Sequence, residues 1–168
     1  VLEVNDPPVI FFNGVEGALD SLNTAEVVTR EGIPFVFRNS SSTLITFDDV
    51  DAASGSLSVT LTLTENGAVP APSTGNLTLG NAGAVSITGG ADGSDTVTFT
   101  GTLADVNAAI DGLIYSPTAG YISDSGANNF GRISVTINDQ GNTGGAAEMD
   151  TGSIEIDVQP EDNAPRNL

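Results

Sequence analysis

The stretch Leu57-Ser58-Val59-Thr60-Leu61-Thr62-Leu63-Thr64 alternates apolar and hydroxyl side chains without a break. Successive side chains of an extended strand point to opposite faces, so a period of two gives one face to a core and the other to water. Shorter stretches of the same kind lie on both sides of it: Ala25-Glu26-Val27-Val28-Thr29, Phe35-Val36-Phe37, Leu44-Ile45-Thr46-Phe47, Leu77-Thr78-Leu79, Val85-Ser86-Ile87, Val97-Thr98-Phe99-Thr100, Arg132 to Ile137 and Ser153 to Val158. Many short alternating strands separated by turn residues predict an all-β fold, an antiparallel β-sandwich.

The connections are read from their turn chemistry. Val9-Ile10-Phe11-Phe12 is an apolar run, followed by a turn-rich passage from Asn13 to Asn23. Arg30-Glu31-Gly32 makes a turn, and Pro34 marks Phe35–Phe37 as an edge or a strand start. Asn39 to Ser42 reads as a bulge, after which Leu44–Phe47 resumes the same strand, and Gly67 to Thr74 is a proline-containing loop. One helix interrupts the β pattern. Thr102 is its N-cap with Asp105 three residues on, Leu103, Val106, Ala109 and Ile110 share an apolar face, and Gly112 stops it. That face is expected to cap an open edge of the core. Phe35, Phe37, Phe47, Phe99 and Phe130 are assigned to the core.

Composition narrows the function. The 168 residues suffice for one domain with a proper core. Four Arg and no Lys face 22 Asp and Glu, a net charge of −18, which argues against nucleic acid and anionic membranes as partners. The acids are scattered through a chain that is 39% hydrophobic, unlike a disordered acidic tail. With neither Cys nor His, thiolate and imidazole chemistry are excluded. Oxygen ligands remain, and those suit Ca²⁺. No run approaches transmembrane length, and Val1-Leu2-Glu3 is not a signal peptide, so any export is directed from elsewhere in a longer chain.

Asn5-Asp6-Pro7-Pro8, preceded by Leu2-Glu3-Val4, resembles Glu161-Asp162-Asn163-Ala164-Pro165, preceded by Ile156-Asp157-Val158. A strand leaving into an acidic, proline-stopped segment at both ends suggests one link of a chain of similar domains: residues 1–8 a strand remnant and linker, 9–160 the sandwich, 161–168 the next linker. Loops of an antiparallel sandwich alternate between its two ends. That parity gathers Asn5, Asp6, Asp49, Asp51 and Asp139 at an upper end, and Glu31, Glu161, Asp162 and Asn163 at a lower one. Carboxylates so gathered repel unless a cation lies among them; a single Asp reads first as a turn cap in water, and it is the clustering that favours an ion.

Glu31-Gly32-Ile33-Pro34, Phe47-Asp48-Asp49-Val50-Asp51-Ala52, the run from Phe99-Thr100-Gly101-Thr102 through the helix to Tyr115-Ser116-Pro117, and Ile137-Asn138-Asp139-Gln140-Gly141-Asn142-Thr143-Gly144 together resemble the cadherin-like tandem repeats of giant bacterial surface proteins, RTX-type adhesins among them. The match covers about residues 29–165. The resemblance implies an extracellular Ig/cadherin-like sandwich, secreted to the cell surface, with Ca²⁺ at its interdomain joints and a role as spacer or adhesion module. It implies ligands at Glu31, Asp49, Asp51, Asp139, and Asp6 or Asp162 with Asn163. The passage from Pro8 to Arg30 is longer than the family's, which leaves the first strand's register open, and the extra Pro160-Glu161 leaves the lower site less defined than the upper.

The functional expectation is a non-enzymatic, Ca²⁺-stiffened spacer, monomeric in isolation, whose partners are neighbouring repeats of the same chain. The alternative is an adhesion module for a glycan, a peptide or another surface, although the chain has no Trp and only Tyr115 and Tyr121, with Tyr115 expected inside a strand. A Ca²⁺-bridged sugar site at Asp92, Asp95 or Asp124 stays open. No residue pair selects carboxylate catalysis. The EF-hand pattern fails, since position twelve from Asp49 is Thr60. Gly89-Gly90-Ala91-Asp92-Gly93-Ser94-Asp95 reads as a hairpin turn.

Overall fold

The computed structural model describes residues 4–19, 25–65, 74–123, 130–142 and 145–161. The strands are β1 (Val9–Phe12), β2 (Val15–Glu16), β3 (Ala25–Arg30), β4 (Phe35–Val36), β5 (Ile45–Asp48), β6 (Leu57–Glu65), β7 (Gly75–Thr78), β8 (Ser86–Gly90), β9 (Thr96–Gly101), β10 (Ile114–Pro117), β11 (Gly131–Asn138) and β12 (Met149–Gln159); the helix α1 is Leu103–Ile110. They form a six-stranded sheet in the order β3-β12-β11-β6-β9-β8 and two three-stranded sheets, β2-β1-β5 and β4-β10-β7. The result is the all-β sandwich that the alternation predicts. Leu57, Val59, Leu61 and Leu63 of β6 are fully buried, as are Val97 and Phe99 of β9 and Ile133, Val135 and Ile137 of β11.

Pairing is antiparallel except between β3 and β12, which run parallel from Ala25 beside Ile154 to Arg30 beside Gln159. The chain also departs from the expected bulge at Asn39–Ser42. Residues Asn39–Ser41 form a 3₁₀ turn, with Ser41 and Thr43 N–H both donating to the Arg38 carbonyl at 3.1 and 3.3 Å. This closed loop redirects the chain from β4, paired with β10, to β5, paired with β1. The two segments are thus strands of different sheets, not one bulged strand.

Asn13 and Gly14 take φ of 52° and 75°, the left-handed pair of a two-residue hairpin turn, and join β1 to β2. β12 begins at Met149 rather than Ser153. Its first turn of alternation is hidden by Gly152, where a Cβ would meet the Leu19 Cβ at 2.4 Å; Leu19 is buried there and its carbonyl accepts from Ser153 N–H at 2.8 Å.

The helix carries the capping box read from Thr102 and Asp105. It buries Val106, Ala109 and Ile110, and Asn107 treats β5 as a neighbouring strand would. Its Oδ1 accepts from Phe47 N–H at 2.8 Å, and its Nδ2 donates to the Phe47 carbonyl at 2.9 Å. A single amide therefore covers the β5 edge. Phe37, Phe47 and Phe99 are buried, whereas Phe35 and Phe130 are half-buried. Tyr115 is fully buried and donates its hydroxyl to the Thr74 carbonyl at 2.6 Å. The Gly89–Asp95 segment is the expected hairpin turn between β8 and β9. It reaches the other layer, with Gly93 N–H donating to Leu77 O at 2.8 Å and Asp92 Oδ1 accepting from Leu79 N–H at 2.7 Å.

Candidate metal site

The upper end is built by the segment entering β1, the loop after β5 and the loop between β11 and β12. β1 and β5 pair with Val9 opposite Asp48, and β11 and β12 pair with Asn138 opposite Met149. Residues 5–8, 48–51, 139–142 and 145–150 therefore lie at one end, as the parity of the strands requires. Asn5, Asp49 and Asp139 are 8%, 6% and 1% exposed; Asp51 is half-buried and Asp6 exposed.

Asp139 is well supplied with donors. Its Oδ1 accepts from Gly141 N–H and Glu148 N–H, both at 2.8 Å, and its Oδ2 accepts from the Asn5 amide in a short hydrogen bond. Asn5 also donates to Ala146 O at 3.0 Å. The loop comes this close because position 145 is glycine: a Cβ there would sit 2.5 Å from the Asn5 Cβ. Asp139 thus closes its own loop onto the entering segment.

Asp51 Oδ2 accepts from Asp6 N–H at 3.0 Å. Asp49 Oδ1 accepts from Asp51 N–H at 3.2 Å, and its other oxygen is buried with no hydrogen-bond partner. Burial first, and then the adjacent Asp51 carboxylate, push the Asp49 carboxyl above the usual carboxylate range. A buried carboxylate oxygen without a donor, beside a second carboxylate, is the chemistry a hard cation corrects. The described side chains next to Asp49 and Asp51 offer carboxylate and amide oxygens, the set Ca²⁺ takes. As the side chains stand, no three acidic groups among the described residues converge on one ion position.

Three further acids at this end escaped the reading of the sequence. Asp150, near the start of β12, accepts from Ile10 N–H at 2.9 Å. Asp48 accepts from Asp49 N–H at 2.9 Å. Glu16 of β2 lines, with Asp48 and Asp49, a depression of about 170 Å³ beside Pro7 and Val9. Asp150 follows the loop that Asp139 opens, so the parity that placed Asp139 also places Asp150.

At the lower end, Glu31 N–H donates to Gln159 O at 2.8 Å, which puts Glu31 where β12 leaves the sheet. Glu31 is half-buried and Glu161 exposed. Asp162 and Asn163, and Asp124 of the sugar-site alternative, lie outside the described residues. No described helix is long and apolar enough to cross a membrane.

Fold and site define the chain as an all-β sandwich with an acidic, oxygen-lined end. No family model matches it, and no curated protein does.

Proposed function

We propose that the chain is a Ca²⁺-binding extracellular repeat of a large bacterial adhesin, a spacer whose joints are stiffened by the ion. The observation that carries this reading is the buried Asp49 Oδ2 with no donor, beside Asp51, at the end where the entering segment brings Asn5 and Asp6 and where Asp139 closes the loop. Asp49 and Asp51 are the primary ligands. Asn5, Asp6 and Asp139 complete the site with side-chain and backbone oxygens and with water. Glu31 and Glu161 form half of a second site that a following domain completes, so the upper site holds its ion more fully. Nothing in this arrangement calls for catalysis.

Extracellular modules bind Ca²⁺ with dissociation constants of about 10⁻⁴–10⁻³ M. At a hundredfold excess over the tighter value the ion stabilises by about 2.7 kcal/mol, which for a chain of this length raises the melting temperature by about 5–10 °C. Calorimetry with Ca²⁺ and with excess chelator tests it, and identical melts would overturn the proposal.

A further inference from the structure

The chain enters the sandwich at the upper end and leaves it at the lower. β1 starts where Val9 faces Asp48. β12 runs from the same end, where Met149 faces Asn138, to the other, where Gln159 faces Arg30. Tension between residues 4 and 161 therefore acts along the axes of both terminal strands. Each must slide past its neighbours, which loads the bonds of a ladder together instead of one after another.

β12 is gripped on both flanks, by β11 over 131–138 and by β3 over 25–30. Below Ile156, where β11 is no longer opposite, Ser123 takes its place: its N–H donates to Val158 O and its Oγ accepts from Val158 N–H, both at 2.9 Å. Among the described residues β1 pairs with the body of the sandwich through one strand, β5, over Val9–Phe12, continued by Asn13 N–H on Leu44 O, so it is the weaker grip. At that point three side chains from three different strand ends take hold of the entering segment. Asp51 holds Asp6 N–H, Asp139 holds the Asn5 amide, and Asp150 holds Ile10 N–H.

We propose that Asp51, Asp139 and Asp150 act as mechanical pins. They fasten residues 5–10 to the ends of β5, β11 and β12, so axial load is shared among three strands and passes directly into β12. This function needs no ion; it shares Asp51 and Asp139 with the proposed Ca²⁺ site, while Asp150 lies outside that ligand set.

The chain has no cysteine, so paired substitutions give unique handles for single-molecule pulling, done here in chelator. Val4→Cys with Glu161→Cys loads the domain axially. Ser86→Cys with Thr100→Cys, partners across the β8–β9 ladder, unzips it. Axial rupture is expected at the higher force. Asp150→Ala should speed axial unfolding at fixed force by about fivefold, the effect of one lost hydrogen bond, and leave the unzipping force unchanged; Asp150→Asn, which keeps a carbonyl oxygen, should restore most of the difference. Equal forces along the two axes would overturn the proposal, and so would an Asp150→Ala chain unchanged axially or weakened equally in both directions. Should Asp150→Ala fail to fold by circular dichroism, Asp51→Ala is read by the same criteria.

Discussion

An oxygen without a donor separates Asp49 from the other acids at its end. Asp139 is buried too, yet N–H groups reach both of its oxygens; on Asp49 they reach Oδ1 alone, and a carboxylate is its neighbour. The amide of Asp49→Asn keeps the acceptor for Asp51 N–H and turns a repulsion into a hydrogen bond. In chelator the variant should be more stable than the parent by about 1 kcal/mol, and its melt should no longer respond to Ca²⁺; a retained response, measured by calorimetry, would remove Asp49 from the site. The tyrosines report a different property. Burial pushes the Tyr115 and Tyr121 hydroxyls above the usual phenol range. A folded pKa above the unfolded value of about 10 adds stability that is complete below that pH and is lost as pH rises beyond it. With no Trp in the chain, tyrosinate absorbance reads this directly. Both rings should stay protonated past pH ~10 and ionise only as the β signal in circular dichroism collapses. Smooth titration of either ring in a folded domain would contradict its burial.

Among the elements, the helix shows most clearly what local sequence can and cannot express. Its cap was readable because Thr102 and Asp105 are three residues apart and satisfy each other's backbone. The partnership of Asn107 with Phe47 was not, since sixty positions separate them and nothing about an Asn in a helix names its target. The two roles differ in weight. Thr102→Ala exposes a helix end that water can reach, at about 1 kcal/mol. Asn107→Ala strands the N–H and carbonyl of a buried strand residue, at about 2–3 kcal/mol. Denaturant titration should rank them in that order, and equal losses would mean that the β5 edge is satisfied in some other way. The switch of sheets between β4 and β5 was likewise illegible. A polar interruption looks alike whether the chain resumes its strand or changes partner, and the choice rests with β1 and β10.

For the whole molecule, a net charge of −18 makes any cation stabilising by screening self-repulsion, so the Ca²⁺ response has to exceed that of NaCl at matched ionic strength; an equal response would reduce the proposed site to screening. The sequence alone determined the all-β class, the strand at Leu57–Thr64, the capped helix and the gathering of Asn5, Asp6, Asp49, Asp51 and Asp139 at one end. Periodicity, capping and strand parity are local or countable properties of the chain. Tertiary structure alone decided the parallel pairing of β3 with β12, the sheet to which each strand belongs, and the bond from Ile10 N–H to Asp150. It also decided that donors reach both oxygens of Asp139 while Asp49 keeps one bare. Each of these depends on which backbone N–H, from a distant part of the chain, arrives within hydrogen-bond reach of a given carboxylate or strand edge.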